Sequence, residues 1–276
     1  MRNAFTVDVE EWFHICGVEA LGPAAWPALP SRIHETTRRL LDELSRADVS
    51  ATFLFVGWIA ERYPELVGDV LAAGHRVGCH SHWHRHVRSL SREAFEADLT
   101  SALDAITSAG APGVESYRAP EWSIRADMSW AFEVLATRGI RIDSSLAPVR
   151  LVGDVRGRRD PHLRRTPAGG ILEMPPLVTD RFGQAMPIGW GWALRFSSPR
   201  RILRAIDDAN RRGRPAVLTV HPWEIDPDPP RVSLPWRLRF AHDFALEGFV
   251  DRLRAVLRDG RFATLESSAA STGLAS

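Results

Sequence analysis

Short apolar runs of strand length alternate with longer amphipathic runs along almost the whole chain, and this alternation limits the fold more than any other feature. Residues 4–9, 51–56, 76–79, 115–117, 140–142, 171–174, 216–220 and 261–265 read as strands. Residues 33–47, 60–73, 91–109, 126–138, 199–212 and 244–258 carry helical spacing of their apolar positions. Ser91 is placed to cap the third of these helices, and Gly74 to stop the second. Repeated βα units of this size imply an α/β fold with a parallel sheet and outer helices, either a barrel or a doubly wound sheet. Two stretches break the rhythm and read as loops: residues 147–170, rich in Arg, Gly and Pro, and the proline-rich residues 222–236. Neither is long enough for an independent domain, so one domain over residues 1–276 is expected.

The charge pattern removes several function classes. A formal net charge of +1, with 25% charged residues, excludes a disordered polyelectrolyte and argues against a dedicated nucleic-acid binder. All 35 basic residues are arginine, which rules out Schiff-base and phosphate-loop lysine chemistry. Cys16 and Cys79 are too few for a disulfide framework or a four-cysteine zinc site, and read as buried thiols. No apolar run reaches membrane-spanning length, and the N-terminus shows no leader pattern. The expectation is a cytoplasmic protein with no membrane span.

Four of the ten histidines, His80, His82, His84 and His86, fall in the segment GCHSHWHRH. His80 with His84, and equally His82 with His86, have the i, i+4 spacing that lets two imidazoles converge on one metal. A carboxylate ligand must come from elsewhere, and the acidic trio Asp8, Glu10 and Glu11 follows the first strand. Alternate residues of a strand share a face, so Asp8 and Glu10 are expected to address one site. Arg118 and His221 also stand directly after strands. Alone, each piece reads as a surface cluster, an ion pair or a satisfied histidine. Together they occupy the C-terminal strand edge, where βα folds gather functional groups.

In order and spacing, TVDVEEWFH, HSHWH, RAP, DSS and HPWE resemble the NodB-homology polysaccharide deacetylases, carbohydrate esterase family 4. The likeness covers about residues 3–266, and is strongest to the branch whose last motif reads HPWEID. The resemblance implies a distorted (β/α)7-type barrel, one divalent cation (zinc first, with cobalt, manganese, nickel or iron as alternatives) and hydrolysis of the N-acetyl group of an amino sugar. It implies Asp8 as base, Arg118 as its holder, His221 as acid, and His80 and His84 as metal ligands. The commonest family motif has a second aspartate where this chain has Val9, so Glu10 is the chosen carboxylate ligand and Glu11 the fallback. Asp143 would tune His221. The chain has ten tryptophans, and Trp12, Trp122, Trp190 and Trp223 are candidates to stack on a carbohydrate partner. The segment 189–192, GWGW, reads as a loop over the site. Two alternatives stand beside this reading: an amidase or deformylase acting on a small non-sugar amide, and a non-catalytic glycan-binding protein on the same scaffold.

Overall fold

The computed structural model describes residues 1–150, 152–181, 183–232 and 234–274. In chain order the first half gives β1 (Asn3–Val9), α1 (Ile33–Arg46), β2 (Thr52–Phe55), α2 (Gly57–Arg62), α3 (Pro64–Ala72), β3 (Arg76–Cys79), α4 (Arg92–Ser108), β4 (Ser116–Tyr117), α5 (Ser129–Thr137) and β5 (Ile142–Asp143). The second half adds β6 (His162–Thr166), β7 (Gly169–Glu173), β8 (Val178–Arg181), β9 (Gln184–Pro187), α6 (Gly191–Phe196) and α7 (Pro199–Arg211). It ends with β10 (Val217–Val220), α8 (Trp236–Asp243), α9 (Phe249–Asp259), β11 (Phe262–Ala263) and α10 (Leu265–Ala270).

Seven strands run parallel in the order β10-β1-β2-β3-β4-β5-β7, and β6 joins β7 antiparallel. The gap between β7 and β10 is bridged by single backbone bonds. Leu177 N–H donates to the Val217 carbonyl at 3.0 Å, and Thr219 N–H to the Gly189 carbonyl at 2.8 Å. The architecture is therefore a distorted (β/α)7 barrel, a single-domain α/β fold. Strands covered on both faces need uninterrupted apolar sequence, which explains TFLF in β2 and VLTV in β10, where every residue is buried.

Several elements depart from the sequence pattern for identifiable reasons. The helix expected over 60–73 is two helices, α2 and α3, because Pro64 drives Tyr63 out of helical geometry to φ −134°, ψ 60°. Residues 147–170, expected as loop, contain β6, whose alternating exposure marks an edge strand. The GWGW segment is not a plain loop, since α6 begins at Gly191. The last long helix starts at Phe249 rather than at residue 244, and α8 takes up Trp236 from the expected loop together with residues 237–243, which carried no assignment.

Strand register levels the functional edge. Val9 pairs with Phe55, Phe55 with Cys79, Cys79 with Tyr117, and Tyr117 with Asp143. The residues that leave these strands, Glu10, His80, Arg118 and Ser144, therefore start from one rim. On the other side of β1, Val7 pairs with Val220, which brings His221 level with Asp8.

Candidate active site

Asp8, at the end of β1, is 2% exposed. Its Oδ1 accepts a hydrogen bond from the Arg118 guanidinium at 2.6 Å, and Oδ2 lies 3.9 Å from His80 Nε2. Arg118 is fully buried, and three more of its five donors go to Thr6 Oγ1 (2.9 Å), Ser144 O (3.2 Å) and Ser144 Oγ (3.0 Å). The strand edge thus fixes a planar cation that orients one carboxylate oxygen and leaves the other turned to the cleft.

Glu10 stands among three imidazoles. Its Oε2 is 2.6 Å from His84 Nε2 and 3.9 Å from His80 Nε2, and its Oε1 is 3.4 Å from His221 Nε2. Despite the short contact with His84, Oε2 has no partner of hydrogen-bonding geometry among the described residues, although it is buried. One ligand atom from each of Glu10, His80 and His84 lies within 4.8 Å of the others. An orphaned carboxylate oxygen facing two ring nitrogens fits a divalent cation held by two histidines and one carboxylate. His80 Nδ1 donates to the Arg118 carbonyl at 2.8 Å, so its Nε2 is left as the ligand atom. Burial pushes His80 down to about 4, against the pull of Asp8, so it is neutral at physiological pH. Burial would raise the Glu10 carboxyl, but His84, His221 and His80 outweigh it and hold the group below the usual carboxylate range.

The neighbouring acid has another task. Glu11 accepts hydrogen bonds from the backbone N–H of Arg32 (3.1 Å) and Ile33 (3.2 Å) and from Ser31 Oγ, satisfying the otherwise unpaired N-terminus of α1. The geometry thus groups Glu10, rather than Glu11, with the histidines. The other two histidines of the cluster turn elsewhere, His82 toward Glu61 and His86 toward Glu121.

His221 leads a short helical turn, and Glu224 closes it. Glu224 Oε2 accepts from the His221 backbone N–H at 3.0 Å and lies 3.1 Å from Nδ1 of the same residue. Arg195, from α6, stands 3.3 Å from Glu224 Oε1. The carboxylate on His221 is therefore Glu224, which corrects the assignment to Asp143. Asp143 instead accepts from Ser145 Oγ at 2.5 Å, in register with Glu173 on β7. The pattern that points to Glu224 is an acid three residues after a turn-leading side chain, the spacing of a capping box. Burial pulls His221 down, but Glu10, Glu224 and Asp8 lift it to about 9.

Sequence reasoning also missed Asp98, a buried acid on the apolar face of α4. Its carboxylate accepts from Ser81 Oγ (2.6 Å), His82 N–H (2.8 Å) and Trp83 N–H (3.2 Å), gripping the loop between His80 and His84. That loop needs the grip, since Ser81 (φ +66°) and His84 (φ +47°) both sit in the left-handed region.

Asp8, Glu10, His80, His84, Arg118 and His221 line a cleft of about 260 Å³ together with Trp122, Trp190, Trp192 and Trp223. Trp122 and Trp190 stack at 4.2 Å with their planes 13° apart. Trp223 stacks on His221 and His242, and its indole N–H reaches Glu10 Oε1 at 3.4 Å, so it braces the site as well as lining it. Trp12 also borders the cleft, but it is only 1% exposed and its indole N–H donates to the Pro30 carbonyl, so it chiefly packs the wall behind Glu10 and Glu11.

Comparison with known proteins bears on the fold and on the class of protein. Residues 25–139 match the family model described as polysaccharide deacetylase, and residues 144–270 match a domain of unknown function. A peptidoglycan-N-acetylglucosamine deacetylase of Bacillus cereus is 25% identical over 100 residues, 36% of each chain. A chitooligosaccharide deacetylase of Rhizobium leguminosarum bv. trifolii is 36% identical over 73 residues, 26% of this chain and 34% of that one. The chain thus spans about a third of the length of these curated relatives. A crystal structure from Mycobacterium smegmatis assigned to the polysaccharide deacetylases superposes with a TM-score of 0.62 at 19% identity, covering 99% of this chain and 91% of that one. A CE4 family pseudoenzyme from Bacillus anthracis gives 0.52 at 15% identity, covering 97% and 65%. The likeness to the polysaccharide deacetylase family is thus carried by residues 25–139, and the solved structures extend the likeness of fold over nearly the whole chain. Because a pseudoenzyme shares the fold, activity must be argued from the residues.

Proposed function

We propose that the chain is a metal-dependent hydrolase that removes N-acetyl groups from an amino-sugar-containing glycan or from its lipid- or nucleotide-linked precursor. One observation carries the reading: a two-histidine, one-carboxylate ligand set shares a single cleft with an arginine-held carboxylate and a carboxylate-held histidine. The names of the matched relatives supply the acetamido sugar as substrate class.

Glu10, His80 and His84 would hold the cation, zinc in the first instance, which when bound supplies Lewis acidity toward water and the acetyl carbonyl. Asp8 takes a proton from the attacking water through Oδ2 while Arg118 keeps Oδ1 fixed. Water oxygen bonds to the carbonyl carbon, and the C–N bond then breaks. His221 gives its proton to the departing nitrogen, so the products are acetate and a free amine. Glu224 keeps the imidazole oriented and favours its protonated form. The cleft lies just under the ~300–1,000 Å³ typical of small-molecule pockets, which suits one acetamido sugar unit. The stacked indoles of Trp122 and Trp190 line the cleft, and they would offer a sugar an aromatic wall.

No helix among the described residues is long and apolar enough to cross a membrane. The test is acetate release from N-acetylglucosamine oligomers and a nucleotide-linked acetamido sugar by wild type, Asp8→Asn and His221→Ala. Each variant is expected to lose ~10²–10⁴ in kcat. Acetate release that survives both substitutions would refute the assignment.

A further inference from the structure

The far end of the histidine loop meets two other segments outside the ligand set described above. Cys16 and His86 are half-buried and Glu121 reaches in from the turn that follows Arg118. One donor atom from each of these three lies within 4.8 Å of the others. His86 Nε2 stands 2.8 Å from Glu121 Oε2. The three residues are far apart in sequence, so it is the fold that brings them together. The backbone is also committed to the arrangement: Glu121 and Trp122 both hold φ +49°, a left-handed geometry that costs non-glycine residues ~1–3 kcal/mol.

We propose that Cys16, His86 and Glu121 form a second cation site of zinc type at the edge of the cleft. Thiolate, imidazole and carboxylate together select zinc or cobalt over magnesium or calcium, which avoid sulfur. Bond lengths of ~2.3 Å to sulfur and ~2.0–2.2 Å to nitrogen and oxygen place tetrahedral donors about 3.3–3.7 Å apart, so His86 and Glu121, now hydrogen-bonded at 2.8 Å, part by roughly half an ångström to admit the ion. Three protein donors leave a position open to water or to an anionic group of a ligand. The two sites share a wall. His84 presents Nε2 to Glu10 at 2.6 Å and Nδ1 to Cys16 Sγ at 3.6 Å. A thiolate held at the outer site accepts the Nδ1–H of His84 and leaves its Nε2 lone pair to the inner one.

Cobalt titration of the chelator-stripped full chain separates the sites, because the inner set contains no sulfur. The expected result is about two cobalt ions per chain, one of them accompanied by a near-ultraviolet thiolate-to-cobalt charge-transfer band. Cys16→Ser should abolish that band and one equivalent of metal, and Glu121→Gln should weaken its saturation by about tenfold or more. Glu10→Gln should leave the band and remove the other equivalent. Saturation at about one ion with no charge-transfer band overturns the second site and leaves the deacetylase reading intact. A charge-transfer band that survives Cys16→Ser overturns it as well, since the sulfur would then be that of Cys79. A single ion whose band is lost in Cys16→Ser and indifferent to Glu10→Gln upholds the outer site and removes the inner one.

Discussion

Replacing Asp98 by alanine tests whether the histidine loop is held from beneath or stands by itself. The carboxylate takes three hydrogen bonds at 2.6, 2.8 and 3.2 Å from a segment that includes two left-handed residues. In Asp98→Ala the Ser81 hydroxyl is able to rotate to another acceptor, whereas the amides of His82 and Trp83 have fixed directions. A buried donor left without a partner costs ~1–3 kcal/mol, so two stranded amides predict a loss of about 2–6 kcal/mol. That is a large share of the ~5–15 kcal/mol that separates a typical folded domain from its unfolded chain. Because the same loop sets His80 against His84, zinc affinity should fall by ~10–100-fold, the usual effect of removing an outer support of a metal ligand. Asp98→Asn, which keeps one acceptor oxygen, should fall between wild type and alanine on both scales. Urea unfolding of the metal-free proteins and competition with a zinc chelator measure the two quantities. An Asp98→Ala protein within ~0.5 kcal/mol of wild type, with unchanged zinc affinity, would show that the loop holds its own geometry.

Two more substitutions probe other parts of the structure. Gly191 lies so close to the Glu224 carboxylate that an alanine Cβ would collide with it, so Gly191→Ala should displace the partner of His221 and cut kcat by ~10–100-fold with little change in KM; an unchanged kcat would mean that Glu224 does not orient the acid. Asp143 and Glu173 are buried side by side, each with an oxygen that finds no hydrogen-bonding partner among the described residues, and burial raises both carboxyls, Glu173 furthest. The folded chain therefore retains protons that the unfolded chain releases, and the stability tied to them is present below the ordinary carboxylate range and lost as pH climbs through the raised values. Glu173→Gln should gain stability over wild type at about pH 8 and lose that advantage toward about pH 4. Urea unfolding across that range checks this, and an advantage that grows on acidification would reverse the sign of the argument.

The parts of the site that were legible in the sequence are those fixed by strand ends. Asp8 and Glu10 share a face because strands alternate, and Arg118 and His221 mark the rim because each follows a short apolar run. Parallel pairing carries no information along the chain about which rim residues end up adjacent. The family resemblance points to Asp143 on β5 as the partner of His221, although the carboxylate on that histidine lies three residues away at Glu224. Asp98 was hidden for a different reason: on a helix whose other buried positions include Phe95, Leu99 and Ile106, a single acid reads as surface until its burial is known. Trp12 and Glu11 show the converse, where a motif residue of suggestive chemistry is spent on packing and on the start of α1. The α6 helix begins inside GWGW, where glycine and tryptophan give no helical period to read.

The claim at the centre of this account is that Glu10, His80 and His84 hold the cation that the deacetylation needs. The most direct test is acetate release from an acetamido sugar by chelator-stripped protein as zinc is added back, with wild type and His80→Ala side by side. The account predicts no activity without zinc, full recovery of the wild type with zinc, and a His80→Ala protein that folds normally yet fails to recover at zinc levels that saturate the wild type. Equal activity of the two proteins, or wild-type activity that ignores the removal of metal, would contradict it.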